Sequence, residues 1–337
     1  MDSKHAIMVE DLVKTYPPDV HAVKGISFQV PPGQIFGFLG PNGAGKTTTV
    51  SMLTTLLRPT KGRAVVGGID VAEEPRRVRR AIGLVFQDST ADGELTGREN
   101  MEVAAGLFGM SSAECRGRID ELLASMDLKE AAGRRVKGYS GGMKRRLELA
   151  VSLVHTPEVL FLDEPTIGLD PQGRAGFWRY ISQMRKEQEV TVFMTTHYLD
   201  EVENLADRVS IIDHGKIIAS GSNDALKERV GGDEIEVRVG KGTPVLTTAL
   251  SAVPTVREVK REGDLYRVKC PRGEAVLSSL VKACDLPGAS IEGIRVLRPS
   301  LDRVFLELTG KAYREEGYDE GRAAASSAFH RRRQGGG

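Results

Sequence analysis

The chain has 337 residues, room for about two domains at ~100–200 residues each. It is 40% apolar, 28% charged and 5% aromatic, an ordinary globular make-up, and 47 basic against 46 acidic residues leave a net charge of +1. That is too weak a bulk field to gather nucleic acid, and no run approaches the ~18 consecutive apolar residues of a membrane span. No apolar stretch follows Met1–His5 to mark a secretory signal. Cys115, Cys270 and Cys284 lack the spacing of a zinc site or a disulfide frame, so a reduced, cytosolic chain is expected.

From Ala6 to Arg229 strand and helix alternate, which predicts an α/β domain. Ala6–Glu10 and Ile26–Val30 read as antiparallel strands added at an edge. Gln34–Leu39 is an apolar strand, followed by a Gly-rich turn and a helix through Leu57. Further strands are expected at Ala81–Phe86, Val159–Leu162, Val190–Thr195 and Arg208–Asp213. Between Gln87 and Gly138 the β pattern lapses, and Glu99–Gly109, Ala113–Met126 and Lys129–Arg135 read as helices of an insert spanning about 88–155. Gly231-Gly232 marks a boundary between a domain over 5–230 and a smaller one over 232–310. The second runs β (Glu234–Val239), α (Val245–Ala252), β (Thr255–Arg261), β (Leu265–Cys270), α (Glu274–Cys284), β (Ser290–Leu297), the ferredoxin-like split order of an α+β unit. After Pro299, with Ser300 placed as cap, Leu301, Val304, Phe305 and Leu308 share one face of a last helix. Residues 311–337 read as a solvated, low-complexity tail.

Chemistry enters at Gly40-Pro41-Asn42-Gly43-Ala44-Gly45-Lys46-Thr47, which fits G-x-x-x-x-G-K-[ST] between a predicted strand and a predicted helix. Glycines let backbone N–H groups turn inward around a phosphate, and the following helix presents its positive end to the same anion. Lys46 can then reach the β- and γ-phosphates, and the Thr47 hydroxyl can ligate Mg²⁺, with Thr48 next in line on the helix. Val159–Asp163 with Glu164 is a buried-type strand ending in two carboxylates that point to opposite faces. Asp163 is expected to support Mg²⁺, and Glu164 to poise the attacking water. A helix-capping acidic pair is the plainer alternative. Ser140-Gly141-Gly142, ahead of a helix over Lys144–Val154, forms a second anion site from a hydroxyl and exposed amides. Two phosphate sites in one chain invite a dimer in which each copy completes the other.

With these motifs in order, the chain resembles the nucleotide-binding subunits of ABC transporters over Ala6–Arg229. Tyr139-Ser140-Gly141-Gly142-Met143 resembles the signature usually read L-S-G-G-Q, differing at its first and last positions. Gln87 matches the glutamine that serves Mg²⁺ and water and relays to the membrane partner. Gly168-Leu169-Asp170-Pro171 matches the D-loop, Thr195-Thr196-His197 the switch histidine at the γ-phosphate, and Tyr16 the aromatic residue that stacks on adenine. Singly, Tyr16 is an edge-strand aromatic, His197 a loop histidine and Gln87 no signal; order and spacing lift them. Pro299–Gly310 resembles the tail of daunorubicin-resistance-type subunits, bacterial exporter ATPases whose permease is a separate chain.

The resemblance implies a P-loop fold with a RecA-like core, edge antiparallel strands and a helical subdomain. It implies ATP and Mg²⁺ in a head-to-tail homodimer, bound to a permease at the cytoplasmic face of the plasma membrane, with no nucleic acid as partner. The transported molecule is not legible, since the substrate path lies in another polypeptide. The rival is a soluble ABC-type ATPase working on ribosomes or DNA. Ribosome-type members carry two cassettes, whereas one Walker A segment is present here, and neither long coiled coils nor zinc-binding cysteines of a repair type are visible. A P-loop GTPase is disfavoured because no N-K-x-D motif appears.

Overall fold

The computed structural model describes residues 5–229, 232–241, 245–286, 290–297 and 300–309. Its contacts divide the chain at Ser220–Gly221 into two units, upstream of the Gly231-Gly232 pair. Gly231 and the expected tail over 311–337 lie outside the described residues.

The first unit opens with β1 (Ile7–Tyr16), β2 (Val20–Val30), β3 (Ile35–Leu39), α1 (Lys46–Leu53), β4 (Lys61–Val66), β5 (Ile69–Asp70), α2 (Pro75–Ala81) and β6 (Ile82–Val85). Three helices follow, α3 (Gly97–Leu107), α4 (Ser112–Ser125) and α5 (Gly141–Leu153). It closes with β7 (Val159–Asp163), α6 (Pro171–Gln188), β8 (Thr191–Thr196), α7 (Leu199–Leu205), β9 (Arg208–Asp213) and β10 (Lys216–Gly221).

Strands β3, β7 and β8 are buried at every position, the apolar run expected of strands covered on both faces. They lie in a sheet of order β10-β9-β3-β8-β7-β6, with β3 parallel to β8 and β9, and β7 parallel to β6 and β8. The register sets Leu39 beside Thr196, Asp163 beside Thr195 and Val85 beside Leu162. The carboxyl ends of four strands therefore finish side by side, where parallel sheets bind ligands. The two early strands do pair antiparallel, but in a separate sheet of order β2-β1-β4-β5. Five rings join the sheets. Phe28 of β2 stacks on Phe36 of β3 at 5.4 Å and on Phe193 of β8 at 5.8 Å, and Phe193 meets Phe38 and Phe161 at 5.5 Å each.

In the helical insert, Thr96 with Glu99 and Ser111 with Glu114 form capping boxes that start α3 and α4. Both helices pack with α5 around Met101, Ile119, Leu122, Leu123 and Leu147. The helix expected over Lys129–Arg135 is instead a single 3₁₀ turn, Lys129–Ala131, with another at Val136–Gly138. Gly133 breaks the run, and the Ala132 and Arg134 carbonyls accept from Arg98 and Gly97 at the start of α3. Helix α1 stops at Leu53 rather than Leu57, where the Thr54 hydroxyl donates to the Val50 carbonyl and Thr55 takes a φ of 66°.

The second unit holds α8 (Asn223–Arg229), β11 (Asp233–Lys241), α9 (Val245–Ser251), β12 (Glu258–Glu262), β13 (Leu265–Cys270), α10 (Gly273–Ala283), β14 (Ser290–Leu297) and α11 (Leu301–Thr309). Its antiparallel sheet has the order β12-β13-β11-β14 around a core that includes Val237, Tyr266, Leu250 and Leu280. The α11 stripe is buried at Leu301, Val304 and Phe305, but Leu308 in its last turn is exposed.

Candidate functional site

Buried β3 delivers the chain to Gly40, whose N–H donates to the Thr196 carbonyl. A Cβ at Gly40 would stand 2.3 Å from the Ile212 carbonyl oxygen, and one at Gly45, where φ is 107°, 2.6 Å from that of Ala22. Only glycine satisfies both positions, so the loop's path is dictated by its glycines. Ala44, buried, donates its N–H to the Pro41 carbonyl and closes the loop. Thr49 ties α1 back by donating its hydroxyl to the Gly45 carbonyl.

A cavity of about 580 Å³ opens above this loop. Asn42, Gly43, Gly45, Lys46, Thr47 and Thr48 line one wall; Gln87, Glu164, Ile167, His197, Tyr198 and Ala22 complete it. Gln87 arrives just past β6, exposed, and His197 just past β8, buried. Gly40, Pro41 and Ala44 frame the loop without lining the cavity.

Lys46, Glu164, His197 and Asp163 form a buried polar network. The Lys46 ammonium, 4% exposed, donates to the Gly40 carbonyl at 2.8 Å and the Pro41 carbonyl at 3.2 Å, and lies 3.0 Å from Glu164 Oε1. The other carboxylate oxygen, Glu164 Oε2, is 2.9 Å from His197 Nδ1. Burial pushes the Glu164 carboxyl upward, but the His197 hydrogen bond and the Lys46 charge outweigh it and hold the group below the usual carboxylate range. Asp163 goes the other way: burial dominates and raises it, although the Thr195 and Thr47 hydroxyls donate to its Oδ1 at 2.5 and 3.4 Å. Two adjacent carboxylates are thus driven apart, one held as a ready anion and one costly to ionise.

The other predicted residues stand elsewhere. Ser140 caps α5 by accepting from the Met143 N–H at 3.3 Å; Ser140 and Gly141 are exposed, and a Cβ at Gly141 or Gly142 would meet nothing within 4 Å. The departures from the usual signature face inward. The Tyr139 hydroxyl donates to the Ala131 carbonyl at 2.7 Å, and Met143 packs on the helical core. Asp170 caps α6 by accepting from the Gly173 N–H at 2.7 Å. Tyr16 ends β1, half-buried, with the Lys14 ammonium 5.3 Å from its ring, outside the cavity lining.

Sequence reasoning missed several participants. Thr195 holds both carboxylate segments, donating to Asp163 and accepting from the Glu164 N–H at 3.0 Å. Its signal was its place two residues before His197. Tyr198 lines the cavity with the Arg174 guanidinium 4.1 Å from its ring, and Glu201, fully buried, accepts from the Thr166 hydroxyl. Neither they nor Ala22 had a local signature.

The ABC transporter family model matches residues 23–167, and one described as the ATP-binding protein DrrA1-3-like, C-terminal domain, matches 221–309. Daunorubicin resistance ATP-binding protein DrrA3 of Streptomyces coeruleorubidus is 45% identical over 90% of this chain and 96% of its own. Doxorubicin resistance ATP-binding protein DrrA of Mycobacterium tuberculosis is 41% identical over 90% and 93%. Linearmycin resistance ATP-binding protein LnrL of Bacillus subtilis is 36% identical over 92% and 100%. Among solved structures, cbiO1 from Clostridium perfringens, part of the ABC transporter complex cbiONQ, superposes with a TM-score of 0.63 at 29% identity over 68% of this chain and 94% of that one. A bacterial ABC transporter cassette solved as a dimer gives 0.59 at 26% identity over 64% and 98%.

Proposed function

This chain belongs to the ATP-binding subunits of ABC exporters of the DrrA type and is the ATP-hydrolysing subunit of a bacterial exporter, and from that membership we propose that two copies hold two ATP molecules head to tail. Each triphosphate rests on one copy's P-loop and on the Ser140-Gly141-Gly142 of the other. The observation that carries this reading is the separation of the two anion-binding elements. Lys46 and loop residues Asn42, Gly43 and Gly45 line the cavity, while Ser140 and Gly141 are exposed and outside its lining.

When a triphosphate enters, its oxygens outcompete the Gly40 and Pro41 carbonyls for Lys46, and the ammonium leaves Glu164. Glu164, freed on one side and still oriented by His197, accepts from the attacking water. Hydrolysis is then positioning and charge stabilisation. Tyr16 would swing against adenine, and Asp170 would meet the second copy.

For Mg²⁺, Thr47, Asp163 and Gln87 offer a hydroxyl, a carboxylate and an amide oxygen, the hard donors this ion takes, and the raised Asp163 is a carboxylate that a cation would relieve. The residues fit the ion, which when bound spreads charge from the phosphate oxygens.

The partner is a separate integral-membrane permease, which would hold this subunit at the cytoplasmic face of the plasma membrane. Among the described residues no helix is long and apolar enough to cross a membrane. Phe86, directly before Gln87, lines an apolar groove of about 560 Å³ with exposed Leu56, Leu107 and Phe108. A permease segment seated there would feel any movement of Gln87. A ribosome- or nucleic-acid-directed ATPase is not favoured, since the relatives are named for drug resistance and export.

The test of the composite site is complementation. Lys46→Ala spoils the P-loop side, and Ser140→Arg overfills the other. Each homodimer carries two spoiled sites and is expected to be nearly inactive; a mixed dimer carries one doubly spoiled site and one intact. Mixing the two proteins should restore up to roughly a quarter of wild-type ATPase activity. No recovery when crosslinking demonstrates mixed dimers, or full activity of Ser140→Arg alone, would eliminate the composite site.

A further inference from the structure

Helix α5 carries a charge its core location does not explain. Arg145 is 7% exposed and Glu148, one turn on, 6%. The guanidinium spends its donors on backbone at two distant places. Nε donates to the Pro165 carbonyl at 2.5 Å, Nη2 to the Glu164 carbonyl at 3.4 Å, and Nη1 to the Phe86 carbonyl at 2.5 Å and to Glu148 Oε2 at 2.9 Å. Glu148 Oε1 is buried with no hydrogen-bond partner among the described residues. A half-satisfied buried ion pair is a poor stabilising device, since apolar residues of similar volume commonly replace such pairs without loss. Its three carbonyl partners share one property: they belong to Phe86, which precedes Gln87, and to Glu164 and Pro165 themselves.

We propose that Arg145 is a positioning residue for the hydrolytic reaction, fixing the Glu164 backbone between α5 and the Phe86 carbonyl. Glu164 has a φ of 47°, a left-handed conformation that a side-chain-bearing residue holds only when its surroundings impose it. Arg145 grips it from one side, as the Thr195 hydroxyl does through the Glu164 N–H from the other. Because α5 begins at Ser140-Gly141-Gly142, the same guanidinium joins the segment that would face a second copy's ATP to the carboxylate that serves the chain's own. A planar fork with five donors can hold three carbonyls and a carboxylate together; the compact ammonium of lysine cannot. This inference rests on the reading of Glu164 as the residue that orients water.

The experiment uses the full chain and steady-state ATP hydrolysis. Arg145→Met combined with Glu148→Leu removes both charges and refills the space. It is expected to lower kcat about tenfold, with KM for ATP within about threefold and the melting temperature nearly unchanged. On a Glu164→Gln background the same pair is expected to cost less than about twofold, since aiming an absent carboxylate has no value. Arg145→Lys, which keeps the charge opposite Glu148, should keep the native melting temperature and still lose kcat several-fold. It decides the matter if the double variant does not fold. Wild-type kcat in either variant overturns the proposal. So does a full tenfold loss on the Glu164→Gln background, or a loss carried by KM and melting temperature, each being the mark of mere support. If Glu164→Gln itself hydrolyses ATP like wild type, the reading of Glu164 fails first. If it is inactive while the Arg145 variants are normal, only the present inference fails.

Discussion

The two elements proposed to bind anions differ in how finished they are. At the P-loop, Lys46, Glu164, His197, Asp163 and Thr195 are buried and joined by ion pairs and hydrogen bonds inside the chain. At the signature, Ser140 does no more than cap its helix, and around Gly141 and Gly142 there is open space. A network closed upon itself must be reopened by substrate, whereas an exposed helix start contributes little until something arrives. Substitutions at the two places should therefore separate folding from function in opposite ways.

The largest effect is expected inside the network. Glu164→Gln should bind ATP, hydrolyse it at least ~10²-fold more slowly, a loss of about 2.7 kcal/mol, and accumulate as an ATP-bound dimer detectable by size-exclusion chromatography. Hydrolysis within a few-fold of wild type would remove Glu164 from its role. Next come the glycines. Gly45→Ala places a methyl group against the Ala22 carbonyl at a φ of 107°, so it should destabilise the nucleotide-free chain by about 2 kcal/mol as well as abolish binding, read as a lower melting temperature. Gly142→Ala meets nothing within 4 Å and lies in α5, so it should stabilise the free chain by up to ~1 kcal/mol while hydrolysis falls. Equal melting shifts of the same sign would erase the contrast between the two places.

The carboxylates sharpen it further. Burial raises Asp163, so its ionised form is a cost in the empty chain at neutral pH. Asp163→Asn should raise the melting temperature without nucleotide by ~2–4 °C, the equivalent of about 1 kcal/mol, while destroying Mg²⁺-dependent turnover. Glu164 has the opposite sign. Its lowered pKa contributes stability that is fully present above the ordinary value of 4.5 and is lost as pH falls through the lowered one. Below pH 4.5, denaturation curves of Glu164→Gln should depend on pH less steeply than those of wild type, the smallest of these effects.

What the sequence disclosed follows the same division. The loop from Gly40 to Thr48 and the Asp163-Glu164 pair stood out because each follows a buried strand in the chain, whereas His197 stood out only through the order and spacing of the motifs. The βαββαβ order of the second unit was legible from alternation, and Arg208–Asp213 to the residue. Arg145 was not, because an arginine in an Arg- and Lys-rich helix declares its burial only once α5 is laid against Phe86 and Pro165. β4 was missed because Lys61-Gly62-Arg63 opens it without apolar alternation, and only pairing with β1 makes it a strand. The seven-residue helix over Lys129–Arg135 was read from composition, while backbone bonds to α3 decide that segment.

The cluster of five phenylalanines bears on how this protein breathes. Phe36 and Phe38 belong to the strand that leads to Gly40, Phe161 to the one that ends at Asp163, and Phe193 to the one that leads to His197. The strands that carry the chemistry are thus welded into one cooperative block, whose amides should exchange with deuterium only when the whole unit opens. Gln87 and, at the start of α5, Ser140 and Gly141 are exposed and should exchange through smaller openings. Warming should therefore loosen Gln87 and the start of α5 before it disturbs Lys46 and Asp163, so that hydrolysis fades at temperatures where the chain still binds nucleotide.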